Sequence, residues 1–176
     1  MKTAALISKE YPMLPLHINI SGKRVAIAGG GRIAARRLQT VISEGAAVTV
    51  ISPEASAEML ELIETYRVHW KKKKAEPADF KGAFLIILAT DDPEVNKRIA
   101  QSASDHQLVN VASEAERGNV YVPKIINKGN ITISVSTNGA SPRHTIELAG
   151  QIEELVDDQL VREIGELFNK RRGPNH

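Results

Sequence analysis

The sequence predicts an α/β fold, a parallel sheet flanked by helices, followed by a small β region and a helical tail. Three observations carry that expectation. Short β-branched apolar runs at 25–28, 48–51, 84–89 and 108–112 alternate with helix-period segments, the pattern of successive βα units. The first run enters Gly29-x-Gly31-x-x-Ala34 directly, and an amphipathic segment leaves it. At Gly118 the alternation stops, and turn residues set two extended runs apart from a long helical stretch.

Composition narrows the function. A chain of 176 residues suits one domain with an appendage, and 42% apolar residues suffice for a core. Aromatics make up only 4%, which removes the stacking platforms that nucleic-acid binding uses, and a net charge of +2 gives no basic field. Without cysteine there is no disulfide, thiolate metal site or thiol nucleophile. No apolar run approaches the ~20 residues of a membrane span. The opening Ala4-Ala5-Leu6-Ile7 run is too brief for a signal peptide, and Lys9-Glu10 breaks it. A soluble cytoplasmic protein with no membrane partner is expected, with residues 1–12 as an extension.

The elements follow in order. Residues 13–117 read as a Rossmann-like nucleotide-binding domain. In its first turn Gly29 permits the tight bend and Gly31 lets the backbone approach a pyrophosphate. Small Ala34 lets helix pack on strand, with Leu38, Val41 and Ile42 on the same face. After the second strand comes Ser52-Pro53-Glu54, where dinucleotide folds place an acid for the ribose hydroxyls. Ser52 itself occupies the strand end and Glu54 lies close enough to substitute. Both residues equally suit capping of a helix over 55–66. A short third strand at 68–70 leads into Lys71-Lys72-Lys73-Lys74, a solvated loop or an attractor of polyanions. The run 84–89 suits the middle of the sheet. Thr90 ends it at the ligand-binding edge, and Asp91 or Asp92 caps a helix reaching His106, with Val95, Ile99 and Ala103 inward. The fifth strand, 108–112, delivers Ser113 and Glu114 to the same edge.

Residues 118–141 read as a hairpin, with strands at 120–123 and 131–135 around Asn127-Lys128-Gly129-Asn130. So short a hairpin cannot bury its own apolar face, which predicts pairing with a second subunit. Residues 142–176 read as one helix carrying Leu148, Ile152, Leu155, Leu160, Ile164 and Leu167 inward, ended by Lys170-Arg171-Arg172-Gly173-Pro174. His144 and Glu147 share a helical face and are the one local pair of metal-ligand type.

Several stretches together resemble the NAD-dependent precorrin-2 dehydrogenases of sirohaem biosynthesis. They are Leu14-Pro15-Leu16, Gly29-Gly30-Gly31-Arg32-Ile33-Ala34-Ala35-Arg36-Arg37, Gly45-Ala46-Ala47-Val48-Thr49-Val50-Ile51-Ser52-Pro53, Ala89-Thr90-Asp91-Asp92-Pro93 with Asn96, and Val109-Asn110-Val111. The most specific is Ile133-Ser134-Val135-Ser136-Thr137-Asn138-Gly139-Ala140-Ser141-Pro142. The resemblance implies oxidation of precorrin-2 to sirohydrochlorin with NAD as cofactor, in a homodimer; some relatives also insert iron. It implies that Arg32, Ile33, Pro53 and Glu54 lie along the cofactor, beside Gly29, Gly31, Ser52 and Thr90, which the glycine turn and the strand ends already make candidates. The family often has an aspartate where this chain has Ser113, so Ser113 and Glu114 become the candidates for proton transfer. The substrate is rich in carboxylates, which makes Arg117, Lys124, Arg143 and the hydroxyls of Ser134, Ser136 and Thr137 candidates for holding it. Two other classes share the fold: a nucleotide-sensing module without chemistry, and a carrier that passes a tetrapyrrole between enzymes.

Overall fold

The computed structural model describes residues 13–173. The expected extension at 1–12 and the helix-breaking Pro174 lie outside the described residues. The chain divides into two compact units, parted between Tyr121 and Val122.

The first unit is a five-stranded parallel sheet in the order β3-β2-β1-β4-β5. Its strands are β1 (Arg24–Ala28), β2 (Ala47–Ile51), β3 (His69–Lys71), β4 (Leu85–Leu88) and β5 (Leu108–Val111). The order reverses between β1 and β4, the switch point at which such sheets open a crevice for ligands. Helices α1 (Arg32–Ser43) and α2 (Ala57–Tyr66) pack on one face and α3 (Pro93–Ser102) on the other. Alternate residues of each strand therefore enter different cores. Val25, Ile27, Val50 and Ile87 meet Leu38, Val41 and Met59, whereas Ala26, Ala28, Ile86 and Leu88 meet Ile99 and Phe80. Burial on both sides explains why β4 is apolar at every position. Each large side chain so buried contributes about 1.5–3 kcal/mol.

Two helix boundaries in this unit differ from the sequence reading. Helix α2 starts at Ala57, and its cap is Ser56, whose Oγ accepts the Met59 N–H at 3.2 Å; neither Ser52 nor Glu54 caps it. Helix α3 ends at Ser102 rather than His106, while Val95, Ile99 and Ala103 do face the core. The Gln107 side chain causes the early end. It accepts the Ser104 N–H at 3.0 Å and donates to the Phe80 and Ala83 carbonyls at 2.9 and 2.8 Å, pinning the chain as a turn. The lysine loop after β3 is locally paired. Lys71 meets Asp79 at 3.2 Å, Lys73 meets Glu76 and Asp79 at 3.1 Å, and Lys72 lies over the Trp70 ring. Burial raises the proton affinity of Asp79, but hydrogen bonds from Lys73, the Glu76 amide and Lys71 outweigh it and hold the carboxyl below its ordinary range.

The second unit holds the antiparallel hairpin β6 (Lys124–Lys128) and β7 (Ile131–Val135), then α4 (Pro142–Leu155) and α5 (Asp158–Arg172). The first hairpin strand begins at Lys124, not Val120, because the Asn119 and Val120 amides are spent on the Val109 carbonyl in the first unit's own turn. Gly129 and Asn130 form the two-residue turn, with Gly129 at φ +57°. The inward face of the hairpin is covered within the chain, contrary to expectation: Ile126 and Val135 bury against Ala149, with Ile133 and Ile152 alongside.

The expected single tail helix is two. Asp157 caps α5 by accepting the Leu160 N–H at 2.8 Å, and Lys128 Nζ donates to the Glu153 and Val156 carbonyls at 2.8 Å, closing the end of α4. Of the expected inward stripe, Ile152 does face inward, alongside Ala149 and Val156, whereas its leucines point outward. Leu155 is 79% exposed, Leu167 58%, Leu148 43% and Leu160 41%.

Candidate functional site

The carboxyl edge of the sheet gathers most of the candidate residues. β1 ends at Ala28, and the next three residues pass between the loops that follow β2 and β4. Gly29 sits at φ +116°, and a Cβ there would lie 2.3 Å from the Ala89 carbonyl oxygen. Gly30 is held from the other side: a Cβ would lie 1.9 Å from the Glu54 carbonyl oxygen and 2.9 Å from Ser52 Oγ. Its own carbonyl accepts the Ser56 N–H at 2.8 Å, tying the turn to the start of α2. Two glycines are thus demanded by the chain itself.

Gly31 is different. Its backbone, at φ −84° and ψ −175°, suits any residue, and nothing lies within 4 Å of a Cβ built there. It is also the N-cap of α1. Helices α2, α3, α4 and α5 are capped by the side chains of Ser56, Asp92, Ser141 and Asp157, but no side chain caps α1 and no acid stands in its first turn. The first amides of α1 therefore face open space beside an unencumbered glycine, a cradle for an anionic group. A dinucleotide diphosphate fits these residues.

Around this cradle the candidates divide. Arg32 and Ile33 open α1 and are exposed, Ile33 by 51%. Pro53 and Glu54 are exposed on the turn that packs against Gly30. Ser52 is only 2% exposed, and Trp70 Nε1 donates to both its Oγ and its carbonyl oxygen at 3.1 Å. Its hydroxyl serves the β2–β3 edge. Thr90 Oγ1 donates to the buried Asn96 Oδ1 at 2.7 Å, while Asn96 Nδ2 donates back to the Thr90 carbonyl at 3.1 Å. That exchange, with Asp92 Oδ1 accepting the Glu94 and Val95 amides, builds the β4–α3 turn.

Ser113 and Glu114 follow β5, one strand beyond Thr90 on the same edge. Ser113 is exposed, and Glu114 pairs with Arg117 across a single 3-10 turn (Ala115–Arg117). Glu114 holds the Arg117 guanidinium above its ordinary proton affinity, and Glu94 on the first turn of α3 adds to the effect. A latch fixes the far end of this loop. Asn119 Oδ1 accepts the Val109 N–H at 2.7 Å, Asn119 Nδ2 donates to the Gln107 carbonyl at 2.8 Å, and Asn110 Nδ2 donates to the Val120 carbonyl at 3.0 Å. Sequence reading missed this latch because Asn119 bonds to backbone ten and twelve residues earlier in the chain.

In the second unit, His144 Nδ1 and Ser141 Oγ are 2.7 Å apart, and Arg143 Nε donates to Glu147 at 2.8 Å. Among the described residues no group of three or more His, Asp or Glu is placed to hold a metal ion. Nor is any described helix long and apolar enough to cross a membrane.

A family model with the description "Putative NAD(P)-binding" matches residues 16–124, the part that holds the cradle. The precorrin-2 dehydrogenase of Bacillus subtilis is 54% identical over 160 residues, covering 91% of this chain and 99% of the relative. This chain belongs to the precorrin-2 dehydrogenase family. A second family member, from Priestia megaterium, is 35% identical over 85% of this chain and 74% of its own length. The solved structure of SirC, precorrin-2 dehydrogenase, superposes with a TM-score of 0.77 over 89% of this chain and 77% of that one, at 33% identity. The siroheme synthase of Xylella fastidiosa is 32% identical, and this chain matches 34% of its length. The family likeness thus runs beyond the NAD(P)-binding sheet into the hairpin and helices, as the order of the sequence motifs implied.

Proposed function

We propose that the chain oxidises precorrin-2 to sirohydrochlorin in the cytoplasm, with NAD as hydride acceptor. The observation that carries the reading is Gly31: glycine stands where the chain's own packing does not require it, above helix amides that no side chain caps. Family membership supplies the substrate, since the relative matching nearly end to end is named for precorrin-2. When bound, the nicotinamide supplies the hydride acceptor. The chain's part is to hold the diphosphate on the Arg32 and Ile33 amides and to receive the proton that leaves with the hydride.

For that proton we assign Glu114, with Ser113 orienting the substrate. Glu114 is ion-paired with Arg117, and a substrate carboxylate that draws the guanidinium away would free the Glu114 carboxylate for the proton. Glu114→Gln is expected to slow single-turnover oxidation by about 10²-fold with unchanged NADH affinity. Ser113→Ala costs less, on the order of 1 kcal/mol. An unchanged rate in Glu114→Gln removes the proton-acceptor role. The reading as a whole is tested by supplying precorrin-2 with NAD or NADP under anaerobic conditions. Faster reduction of NAD supports it, and binding without turnover of either would favour the sensing module instead.

We also propose a homodimer formed through the second unit. Hairpin strands and α4 close on each other, so the support comes from the outer faces of the two helices. Ile146 is 60% exposed, Leu155 79% and Leu167 58%, with Phe168 at 38% beside it. A two-fold pair is the commonest way to cover such faces. Light scattering at micromolar concentration should give twice the 19.2 kDa chain mass; a mass of one chain contradicts the pairing.

A further inference from the structure

The glycine turn fixes more than a diphosphate. Because Gly30 packs against residues 54–56, the first turns of α1 and α2 stand side by side, and a groove of about 380 Å³ opens between them. Arg32, Ile33, Arg36 and Glu58 line it. Arg32 and Arg36 are one helical turn apart and share a face. Glu58 stands opposite them in the first turn of α2. A second cavity of about 460 Å³ lies along the same two helices, and Arg36 and Glu58 line both. Among the described residues, none of these three charged side chains forms an ion pair.

In dinucleotide folds the adenosine ribose hangs over the end of the second strand. An acid there binds the 2′-hydroxyl, and an arginine there accepts a 2′-phosphate. Here the strand-end side chain, Ser52, is buried and occupied with Trp70. The groove between the first turns of α1 and α2 holds both kinds of group at once. A guanidinium pair is a ready fork for a phosphate, and one carboxylate stands against it. Glu54, the acid that the sequence pointed to, lies on the turn but does not line the groove.

We infer that Glu58 is the specificity-determining residue for the cofactor, taking the ribose 2′-hydroxyl of NAD and repelling the 2′-phosphate of NADP that Arg32 and Arg36 would otherwise hold. The inference rests on the dinucleotide reading of the Gly31 cradle. It uses a repulsive element to set the preference, since the attractive pair alone points the other way. Loss of one negative charge from the groove corresponds to a change on the order of tenfold in the affinity ratio.

Calorimetric titration of NADH and NADPH, without any tetrapyrrole, tests it on the wild type, Glu58→Gln, and Glu58→Gln combined with Arg36→Gln. All substitutions lie on exposed helix faces, so the fold is retained and thermal unfolding checks that it is. The expected result is tighter NADH than NADPH binding by the wild type, a shift of about tenfold or more toward NADPH in Glu58→Gln, and loss of that shift in the double variant. A wild-type ratio retained by Glu58→Gln overturns the inference while leaving the cradle intact. Failure of the wild type to bind either nucleotide overturns the cradle and this inference together.

Discussion

Gly31→Asp is expected to abolish dinucleotide binding and leave the fold as stable as before, or slightly more so. The two halves of this result have one cause. Gly31 has ordinary backbone angles and open space around it, so an aspartate enters without strain. Its carboxylate then caps α1, which no side chain caps in the native chain, a gain of a few tenths of a kcal/mol over glycine. The same carboxylate stands where the diphosphate must come. Two unit charges about 4 Å apart repel by about 4 kcal/mol at an effective dielectric near 20. That amounts to nearly 10³-fold in Kd. Calorimetry with NADH and a thermal melt on the same sample read both effects. Native-like binding by the variant would remove Gly31 from the cofactor site.

Gly30→Ala is expected to do the opposite, one residue away. The added methyl would sit 1.9 Å from the Glu54 carbonyl oxygen and 3.0 Å from Ala55 Cα, both backbone atoms that cannot swing aside. The β2–α2 turn has to move, and with it the Ser56-to-Gly30 hydrogen bond that seats α2. Overpacking of this kind costs about 1–3 kcal/mol, and the upper part of that range fits a clash with backbone. For a chain of this size the expected drop in Tm is roughly 5–10 °C. Cofactor affinity falls only as far as the turn is displaced. A melt unchanged from wild type would mean that the turn has slack that the packing around Gly30 does not show.

This pair of glycines shows what the sequence could and could not convey. The strands, their parallel order and the glycine turn were legible because each rests on local chemistry: β-branched runs, glycine where the chain must bend, a small Ala34 at the helix–strand contact. The importance of Gly30 was not, because its constraint comes from Glu54 and Ser52, more than twenty residues on in the chain. Ser52 likewise reads as a ribose contact until Trp70 is seen to claim its hydroxyl. The break between α4 and α5 carries no glycine or proline. It is made by Asp157 and by the Lys128 ammonium, which arrives from the hairpin to close the helix end. The leucine stripe misled for a related reason. Periodicity finds the largest apolar face, but the hairpin approaches α4 closely and selects the small Ala149 for its contact. The Glu58 groove was invisible because it needs two helices side by side, an arrangement that the Gly30 contact produces.

Proton and hydride loss from precorrin-2 are read most directly in an anaerobic single-turnover mixture of the protein, precorrin-2 and NAD, followed for NADH absorbance and for sirohydrochlorin together. Both products should appear at the same rate, one NADH for each sirohydrochlorin, and Gly31→Asp should yield neither. Sirohydrochlorin formed at the same rate without NAD, or bound precorrin-2 with no NADH produced, would contradict the proposed oxidation.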